Sequence, residues 1–579
     1  MPRPLRTVPV LFLLLACAAA LADDMPASFS TAVSRLDAVP VAVMAPVDNG
    51  VLEAVYADVP RLKAGPDAAR PDGAWRFAEP LDAYFDLGQA GAWEALADGS
   101  RLWRLRLASP GATSLNLGLS RFDVPAGARL WLYDAGGDVV QGPYTAADRT
   151  AEGGLWTALV PADEIVVELH VPAGAGDADL AIHRVNHGFR GFTGRDGAGP
   201  AVKQGQCQND VVCPEADPWR RQVRAVAWYT LEGWGTCTGS LVNNAAADGR
   251  PFFLSAEHCG VTAGNASTMV VYWNFESPRC GRLAGGSLAD NQSGATFRAS
   301  YRPSDFVLVE LRQKPKAAFD VYYAGWNAAN TAPARAVGVH HPNLDEKAIS
   351  FSNGRLRPDG PTHWEIVWND GTTEPGSSGS CIFDPEGYCV GTLTGGDSFC
   401  RDPRAPDYYG RFSVHWTGGG TARTSLRPWL DPTGSGRRKM GGLDLAGGGG
   451  GGGGGGATCA ANAKTLCLGG GRFAATVTWQ DFNGKSGDAM VAEKSASSGA
   501  FSFFAAQDWD LMVRVVDGCG ANARYWVLAA APTNLKVTLK VEDTKTGQVR
   551  TYRNPLGQIP GGVIDKNAFA GCPSDPVRP

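Results

Sequence analysis

A run of ten consecutive glycines, Gly447–Gly456, is the feature that most constrains how this 579-residue chain can fold. Glycine has no side chain to bury and loses more conformational entropy on ordering than any other residue, so such a run behaves as a flexible coil. A single hydrophobic core cannot extend across it. Residues 447–456 are therefore predicted to be a linker that separates a C-terminal domain, residues 457–579, from the rest of the chain.

The distribution of cysteine marks a second boundary. None of the 13 cysteines lies between residues 18 and 206, whereas twelve follow from Cys207 onward. The change places a domain boundary near Lys203, and an even number of cysteines is typical of disulfide bonds in an oxidising compartment. Neither a CxxC pair nor an HExxH motif occurs, so we expect no metal site and no cofactor.

The N-terminal segment has the pattern of a signal peptide. Residues 1–22 begin with two arginines, continue through an apolar run over residues 8–15, and end in Ala20-Leu21-Ala22, the small residues that a signal peptidase accepts. Cys17 also fits a lipoprotein anchor, but the apolar run before it is short, and we favour cleavage. No later stretch reaches the roughly 18 apolar residues of a membrane-spanning helix. The sequence predicts a secreted protein with no membrane partner.

Composition and periodicity predict a mostly β protein. The chain has 74 glycines and 38 prolines, which favours short strands and many turns. Apolar residues alternate with polar ones over residues 101–107 and 164–169, and strand-like runs recur at residues 474–479 and 535–541. We expect a β-rich N-terminal region and a small disulfide-stapled β-sandwich at the C-terminus. The 53 basic residues do not outnumber the 58 acidic ones, giving a net charge of −5, so nucleic acid is not an expected partner.

Three segments between residues 204 and 446 contain the residue types of nucleophilic catalysis. His258 stands beside Cys259, Asp305 precedes an apolar run, and Ser378 lies in Gly376-Ser377-Ser378-Gly379. A serine hydroxyl becomes a nucleophile when an imidazole takes its proton and a carboxylate orients that imidazole. Flanking glycines allow a sharp turn that aims backbone amides at an oxyanion. Each motif alone is usually structural, but their combination in one cysteine-bearing unit predicts acyl transfer.

These segments carry a family resemblance. Residues 236–244, the His258 segment, residues 304–306, 374–380 and 408–411 resemble the bacterial lysyl endopeptidases, which are chymotrypsin-fold serine proteases. The resemblance covers about residues 204–446 and implies two antiparallel Greek-key β-barrels with the active site between them. It implies that His258 is the general base, Asp305 its orienting partner and Ser378 the nucleophile. The amides of Gly376 and Ser378 would form the oxyanion hole.

The family also implies a disulfide pattern for the protease domain. It pairs Cys207 with Cys400, Cys213 with Cys280, and Cys237 with Cys259. Cys381 and Cys389 are commonly absent from the family, and they lie eight residues apart just after Ser378. We predict that they form a fourth bridge across a hairpin and stiffen the turn that holds the oxyanion amides. The pairing of the four C-terminal cysteines stays open: Cys459, Cys467, Cys519 and Cys572.

Specificity in the family comes from an acidic residue at the base of the first specificity pocket. The matching position is Asp407, with Asp397 and Asp402 as alternatives for the same role. A carboxylate in a partly desolvated pocket favours a cationic side chain and rejects neutral ones. Two departures from the family bear on rate and strictness: Thr394 replaces a histidine that stacks on a tryptophan near the catalytic site, and that tryptophan is not identifiable within residues 352–368.

The expected function is therefore cleavage of polypeptides after lysine. Residues 204–446 contain four lysines and nineteen arginines, as expected of an enzyme that must survive its own activity. A general preference for arginine in this chain explains the ratio equally well. A broader trypsin-like protease that accepts lysine and arginine is the alternative within the class. A catalytically inactive protease fold used for adhesion is the alternative outside it.

The N-terminal region, residues 23–203, is predicted to be a pro-region. Lys203 stands four residues before Cys207, where family members are released from their pro-regions, so we expect cleavage after Lys203 and Gln204 as the mature N-terminus. Ser377 replaces the aspartate that pairs with the new N-terminus in chymotrypsin-like zymogens, and no ion pair is expected there. The size of the segment favours an intramolecular chaperone and inhibitor. We expect a monomer otherwise.

The C-terminal domain is not expected to be catalytic. It contains no histidine and so lacks a Ser, His and Asp set of its own. Its aromatic residues form either a ligand-binding face or, as is commoner in β-sandwiches, part of the core: Trp479, Phe501, Phe503, Phe504, Trp509, Tyr525 and Trp526.

Overall fold

The structure is a computed structural model. It describes residues 25–29, 33–57, 74–191, 204–281, 285–444, 459, 461–469, 471–494, 498–505, 508–522, 524–558 and 562–570. The predicted signal peptide, Lys203 and the glycine run lie outside these residues. The prediction of a mostly β protein is confirmed, with 44% of the chain in strands and 12% in helices. Within the described residues, no helix combines the length and apolar character needed to cross a membrane.

The N-terminal region is a sandwich of two sheets with one short helix, α1 (Asn49–Ala57). One sheet has the order β1-β5-β10-β7-β8 with β4 paired to β5, and the other has the order β3-β11-β6-β9. The two alternating segments of the sequence form adjacent antiparallel strands, β5 and β10, and bury their apolar faces in a shared core. The strands are β1 Val41–Val43, β2 Trp75–Arg76, β3 Ala78–Asp86, β4 Ala92–Ala95, β5 Arg101–Ala108, β6 Leu115–Asp123, β7 Arg129–Asp134, β8 Val140–Tyr144, β9 Leu155–Trp156, β10 Glu164–Val171 and β11 Asp179–Gly188.

The first sheet of the protease region is antiparallel, with the order β17-β16-β13-β14-β15-β19-β18. Strand β2 of the N-terminal region joins it by pairing with β14. A 3-10 helix, Pro214–Trp219, and helix α2, Arg220–Ala225, lead into this sheet. Its strands are β13 Val226–Leu231, β14 Gly235–Val242, β15 Phe252–Ser255, β16 Val270–Tyr272, β17 Asn291–Ser293, β18 Ala295–Tyr301 and β19 Phe306–Leu311.

The second sheet of the protease region has the order β12-β23-β22-β26-β27-β28-β25-β24, with β21 paired to β27 and β29 paired to β21. Helices α3 (Phe412–Thr417) and α4 (Arg427–Leu430) follow it. The two sheets share one core, in which Phe252 and Phe306 of the first meet Val339 and Phe383 of the second. This is the predicted chymotrypsin-like arrangement. The strands of this sheet are β12 Asn209–Asp210, β21 Trp326–Asn327, β22 Ala336–His340, β23 Ala348–Ser352, β24 Arg357–Asp359, β25 His363–Ile366, β26 Cys381–Phe383, β27 Cys389–Gly396, β28 Asp407–Arg411 and β29 Lys439–Met440. Two further strands, β20 Tyr322–Tyr323 and β30 Leu443–Asp444, lie outside it.

The C-terminal domain is the predicted β-sandwich. One sheet has the order β31-β32-β38-β39 with β33 on β32, and the other has the order β34-β35-β36-β37-β40. Trp479, Phe501 and Phe503 lie in the core between them, whereas Phe504 and Trp509 are exposed. The elements are β31 Leu466–Leu468, β32 Phe473–Gln480, β33 Ser486–Asp488, β34 Met490–Lys494, β35 Ser498–Ser502, β36 Leu511–Gly518, helix α5 Cys519–Asn522, β37 Arg524–Ala530, β38 Lys536–Asp543, β39 Gln548–Asn554 and β40 Val563–Phe569.

Candidate active site

Adjacent strands bring His258 and Asp305 together. His258 lies in a 3-10 helix just after β15, and Asp305 immediately precedes β19, which pairs with β15. His258 Nδ1 donates to Asp305 Oδ2 over 2.8 Å, and the main-chain N–H of His258 donates to Oδ1 over 2.9 Å. The aspartate is fully buried. Because the carboxylate holds the Nδ1 proton, Nε2 is left as the basic nitrogen of the ring.

The buried His415 supports the backbone of Asp305 through Ser304 and Thr392. His415 Nδ1 contacts Ser304 Oγ at 2.9 Å, and its Nε2 contacts Thr392 Oγ1 at 3.0 Å. The Thr392 hydroxyl also donates to the main-chain oxygen of Asp305 over 3.4 Å. Burial lowers the pKa of His415 to about 3, so its ring is neutral. The network therefore fixes the backbone of Asp305 without adding a charge to the site.

The turn that carries Ser378 packs against the His258 segment. Thr238 N–H, on β14, donates to the main-chain oxygen of Ser378 over 2.9 Å. Gly379 has a φ of 84°, and a Cβ there would lie 2.1 Å from Ser255 Oγ and 2.7 Å from the main-chain nitrogen of Ala256. Only glycine fits this approach. The half-buried Ser378 therefore lies beside the segment of Ser255 and Ala256. His258 follows Ala256 by two residues.

The expected oxyanion loop is held by main-chain contacts. Gly376 has a φ of 92°, and its main-chain oxygen accepts a hydrogen bond of 2.8 Å from Thr238 Oγ1. The side chain of Ser377 is buried, and its Oγ lies 2.9 Å from Nδ1 of the buried His340. His340 contacts Ser350 Oγ through its other ring nitrogen at 3.0 Å. Ser377 stands at the position where chymotrypsin-like zymogens carry an aspartate. Its hydroxyl contacts the His340 ring.

Asp407 lies fully buried at the start of β28. Its Oδ2 accepts three hydrogen bonds, from Trp368 Nε1 at 2.7 Å, Thr373 Oγ1 at 2.7 Å and Ser398 Oγ at 2.6 Å. These donors lie between 9 and 39 residues away in the sequence, and sequence reasoning missed all three. These three neutral donors hold the carboxyl group of Asp407 in one orientation.

The two alternative acids are placed differently. Asp397 and Asp402 are exposed, in the loop between β27 and β28. Thr394, which replaces the family's histidine, has its Oγ1 3.1 Å from Nε2 of the buried His363. An imidazole therefore adjoins position 394, supplied by strand β25.

The structure pairs the cysteines as the resemblance and the hairpin argument expected. The bridges are Cys207–Cys400, Cys213–Cys280, Cys237–Cys259 and Cys381–Cys389, with Cys459–Cys467 in the C-terminal domain. The Cys237–Cys259 bridge fastens β14 to the 3-10 helix of His258. Cys237, His258 and Cys259 form a close group of potential metal ligands among the described residues. The bond between the two sulfurs removes them as thiolate ligands.

Comparison with known proteins finds similarity over two segments of the chain. The model "Lysyl endopeptidase, C-terminal domain" matches residues 202–410, and "Lysyl endopeptidase N-terminal domain" matches residues 73–189. A lysyl endopeptidase of Pseudomonas aeruginosa is 28% identical over 364 residues, which are 55% of this chain and 75% of that protein. These matches and the fold define a serine endopeptidase that acts on peptide substrates. Residues 73–189 and 202–410 of the chain are thus similar to the N-terminal and C-terminal domains of lysyl endopeptidases.

Solved structures also match the chain, at low similarity. A Glu endopeptidase in complex with MPD has 13% identity and a TM-score of 0.26, and the match covers 36% of this chain and 93% of that one. A thermostable serine protease from an extremophilic microorganism has 15% identity and a TM-score of 0.24, covering 33% and 92% of the two chains.

Proposed function

We propose that this protein is a secreted serine endopeptidase that cleaves peptide bonds after lysine. Ser378 is the nucleophile, His258 the general base and Asp305 the residue that orients it. The observation that carries the proposal is the 2.8 Å contact between His258 Nδ1 and the buried Asp305, in a segment against which the Ser378 turn packs. The free Nε2 of the ring is the acceptor that a serine hydroxyl needs.

The reaction follows from these roles. His258 Nε2 takes the proton of Ser378 Oγ as the oxygen attacks the substrate carbonyl, and the amides of Gly376 and Ser378 bind the oxyanion. The imidazolium then gives its proton to the leaving amine, which departs and leaves an acyl-enzyme. Water repeats the sequence with His258 as base and releases the acid. Asp305 stays ionised throughout and stabilises the imidazolium.

Asp407 is the proposed determinant of lysine preference. It is buried and ionisable, and the two other candidates, Asp397 and Asp402, are exposed. A carboxylate in a partly desolvated pocket favours an ammonium over a neutral side chain. Acceptance of arginine as well is the alternative that the test below distinguishes.

The test is hydrolysis of chromogenic peptide amides that differ only in lysine, arginine or norleucine before the scissile bond. Wild type should cleave the lysine substrate, with much lower kcat/KM for the other two. Ser378→Ala should abolish serine-dependent hydrolysis, and Asp407→Asn should remove the preference for lysine over norleucine. Asp397→Asn is the matched control, because it removes an exposed carboxylate nearby. Equal activity in wild type and Ser378→Ala would favour the inactive, adhesive alternative.

The pro-region is proposed to act as chaperone and inhibitor of the protease domain. Strand β2 adds to the edge of β14, with Trp75 opposite Thr236 and Arg76 opposite Gly235. A Cβ built on Gly376 would lie 3.6 Å from Trp75 Cε3, so the indole abuts the oxyanion loop. A strand in this position excludes substrate from that side of the cleft.

The contact between the pro-region and the protease domain has its own core. Phe77 is fully buried among Trp228, Tyr272 and Phe275 of the protease domain. The hydroxyl of Tyr272 accepts a hydrogen bond of 2.9 Å from the main-chain N–H of Leu159. An apolar interface of this kind supports a pro-region that folds with, and stabilises, the first protease sheet.

Maturation and domain organisation complete the proposal. Residues 1–22 are the signal peptide, 23–203 the pro-region, 204–446 the protease domain, 447–456 the linker and 457–579 the C-terminal domain. Autocatalytic cleavage after Lys203 leaves Gln204 as the first residue of the mature enzyme. N-terminal sequencing of the secreted protein tests this, and unimpaired processing in Lys203→Ala would contradict it. Polypeptides and the pro-region are its partners, and the protein is a monomer.

A further inference from the structure

The main-chain nitrogen of Gln204 faces a half-buried acid, Asp345. In the intact chain this N–H donates to Asp345 Oδ2 over 2.8 Å, and Gln204 is only 3% exposed. Gln204 is the residue proposed above to become the N-terminus. The atom that would carry the new positive charge therefore already lies in contact with a carboxyl group, before any cleavage.

Asp345 and the neighbouring Glu346 have no cationic side-chain partner within the part of the chain that the structure describes. Among the residues that the structure describes, no ion pair joins Asp345 or Glu346 to a cationic side chain. Glu346 is buried and accepts a 3.0 Å hydrogen bond from Gly286 N–H, while the neighbouring Lys347 pairs with Glu276 at 2.8 Å. Burial and the proximity of Glu346 raise the pKa of Asp345 to about 8. Among the described residues, no cation offsets the charge that Asp345 would carry when ionised.

We propose that cleavage supplies that cation: the α-ammonium of Gln204 pairs with Asp345 and holds the oxyanion loop in its active form. The inference rests on the proposed processing after Lys203. Hydrolysis breaks the bond between Lys203 C and Gln204 N, and water adds to the two fragments. The carboxyl group of Lys203 loses its proton and the amine of Gln204 gains one, so the products are a carboxylate and an ammonium.

Contacts on both sides connect this pair to the oxyanion loop. Asn343 N–H, two residues before Asp345, donates to the main-chain oxygen of Pro375 over 2.7 Å. Gly205 N–H donates to Glu374 Oε2 over 2.9 Å. Pro375 and Glu374 lie one and two residues before Gly376, whose amide is proposed to bind the oxyanion. An ion pair between residues 204 and 345 would therefore fasten the two segments that support this amide, which makes Asp345 a positioning residue.

The test uses full-length chains in which residues 200–203 are replaced by Ile-Glu-Gly-Arg, so that an added endoprotease of that specificity defines the start. One protein then begins at Gln204, and a second carries one extra glycine, which displaces the ammonium by about 3.5 Å. Asp345→Asn is made in each. Asp217→Asn, which removes an exposed carboxylate, is the control.

With the start at Gln204, we expect Asp345→Asn to lower kcat on a lysine amide by about tenfold with little change in KM. The extra glycine should lower kcat by a similar factor, and Asp345→Asn should then add no further loss, because the partner is already gone. Asp217→Asn should stay near wild type. Equal kcat for the two starts, or the same loss from Asp345→Asn in both, overturns the inference.

A second readout keeps the inference separate from the proposed function. The same four proteins in a Ser378→Ala background are compared by their thermal unfolding midpoints, which require no activity. The Gln204 start with Asp345 should unfold at the highest temperature, and the other three should coincide. If no active form hydrolyses the lysine amide, the proposed function fails, and these midpoints still decide the ion pair. Four equal midpoints refute it.

Discussion

Trp368 donates its indole N–H to the buried carboxylate of Asp407 over 2.7 Å. Asp407 begins strand β28, and Trp368 follows the end of strand β25 by two residues. The two residues are 39 positions apart in the sequence. Trp368 belongs to none of the sequence motifs. The contact makes it part of the proposed specificity pocket. It also gives the pocket carboxylate a fixed orientation, which an exposed acid in a loop would lack.

Trp368→Phe is predicted to weaken recognition of lysine. Phenylalanine keeps most of the ring but removes one of three donors to Oδ2, and a buried carboxylate that loses a donor is destabilised by about 1–3 kcal/mol. We expect KM for a lysine amide to rise about tenfold, with a smaller change in kcat. Trp364→Phe is the control, because its indole N–H binds the main-chain oxygen of Val390 in the same core. Equal effects of the two substitutions would contradict the prediction.

Removal of the Cys381–Cys389 bridge is predicted to reduce stability more than activity. The bridge closes a short loop between β26 and β27, and the chain-entropy relation gives about 2–3 kcal/mol for a loop of this length. The double Cys→Ser variant should unfold at lower denaturant concentration and keep kcat within a few-fold. The Ser378 turn has its own main-chain support, since Gly379 N–H donates to Leu393 O over 2.8 Å. A loss of activity without a loss of stability would contradict this.

Trp75→Ala is predicted to release activity in the uncleaved precursor. In a Lys203→Ala background, the intact chain should hydrolyse a small lysine amide slowly, because β2 occupies the edge of β14. Truncating the indole removes its contact with the oxyanion loop, and we expect the residual rate to rise several-fold. Trp93→Ala is the matched control: it lies on β4, and its ring is 42% exposed. An unchanged rate in Trp75→Ala would argue against inhibition by this strand.

Stability is predicted to fall as the pH drops below about 6.5. Burial lowers the pKa of His415 to about 3 and that of His341 well below its usual range. The folded pKa of each lies below the unfolded one, so the unfolded chain binds extra protons between the two values. Each such group contributes a slope of about 1.4 kcal/mol per pH unit.

His415→Gln should reduce the loss of folding stability that is predicted below about pH 6.5. Denaturant unfolding of the Ser378→Ala protein at pH 7 and pH 5 measures the difference, and Ser378→Ala prevents self-digestion. The variant should be less stable than its parent at pH 7 and lose less stability between the two pH values. His170→Gln, at a half-buried position of β10, serves as the control for a histidine substitution. An unchanged pH dependence in His415→Gln would contradict the assignment.

Much of the architecture follows from local patterns. Alternation along residues 101–107 and 164–169 identifies strands β5 and β10, because a half-buried strand repeats every two residues. The glycine-framed serine predicts a sharp turn, and the φ of 92° at Gly376 and 84° at Gly379 agrees with that. The spacing of Cys381 and Cys389 suggests a hairpin, and β26 and β27 form it. Each of these inferences needs only neighbours in the sequence.

The partners of the site residues did not follow from the sequence. His340, His363 and His415 gave no motif, yet they lie buried against Ser377, Thr394 and Thr392 respectively. The contact between Gln204 and Asp345 spans 141 positions. Strand register and the packing of two sheets decide which side chains meet over such distances.

By itself, the sequence determined the strands, the boundaries suggested by cysteine and glycine, and the residue types capable of acyl transfer. Only the tertiary structure decided that Asp407 rather than Asp397 or Asp402 is buried, that Trp368 orients it, and that β2 lies across the edge of β14. The physical reason is that backbone propensity and periodicity act over a few residues. Burial and hydrogen-bond partnership are instead set by segments that the folded chain brings together from far apart.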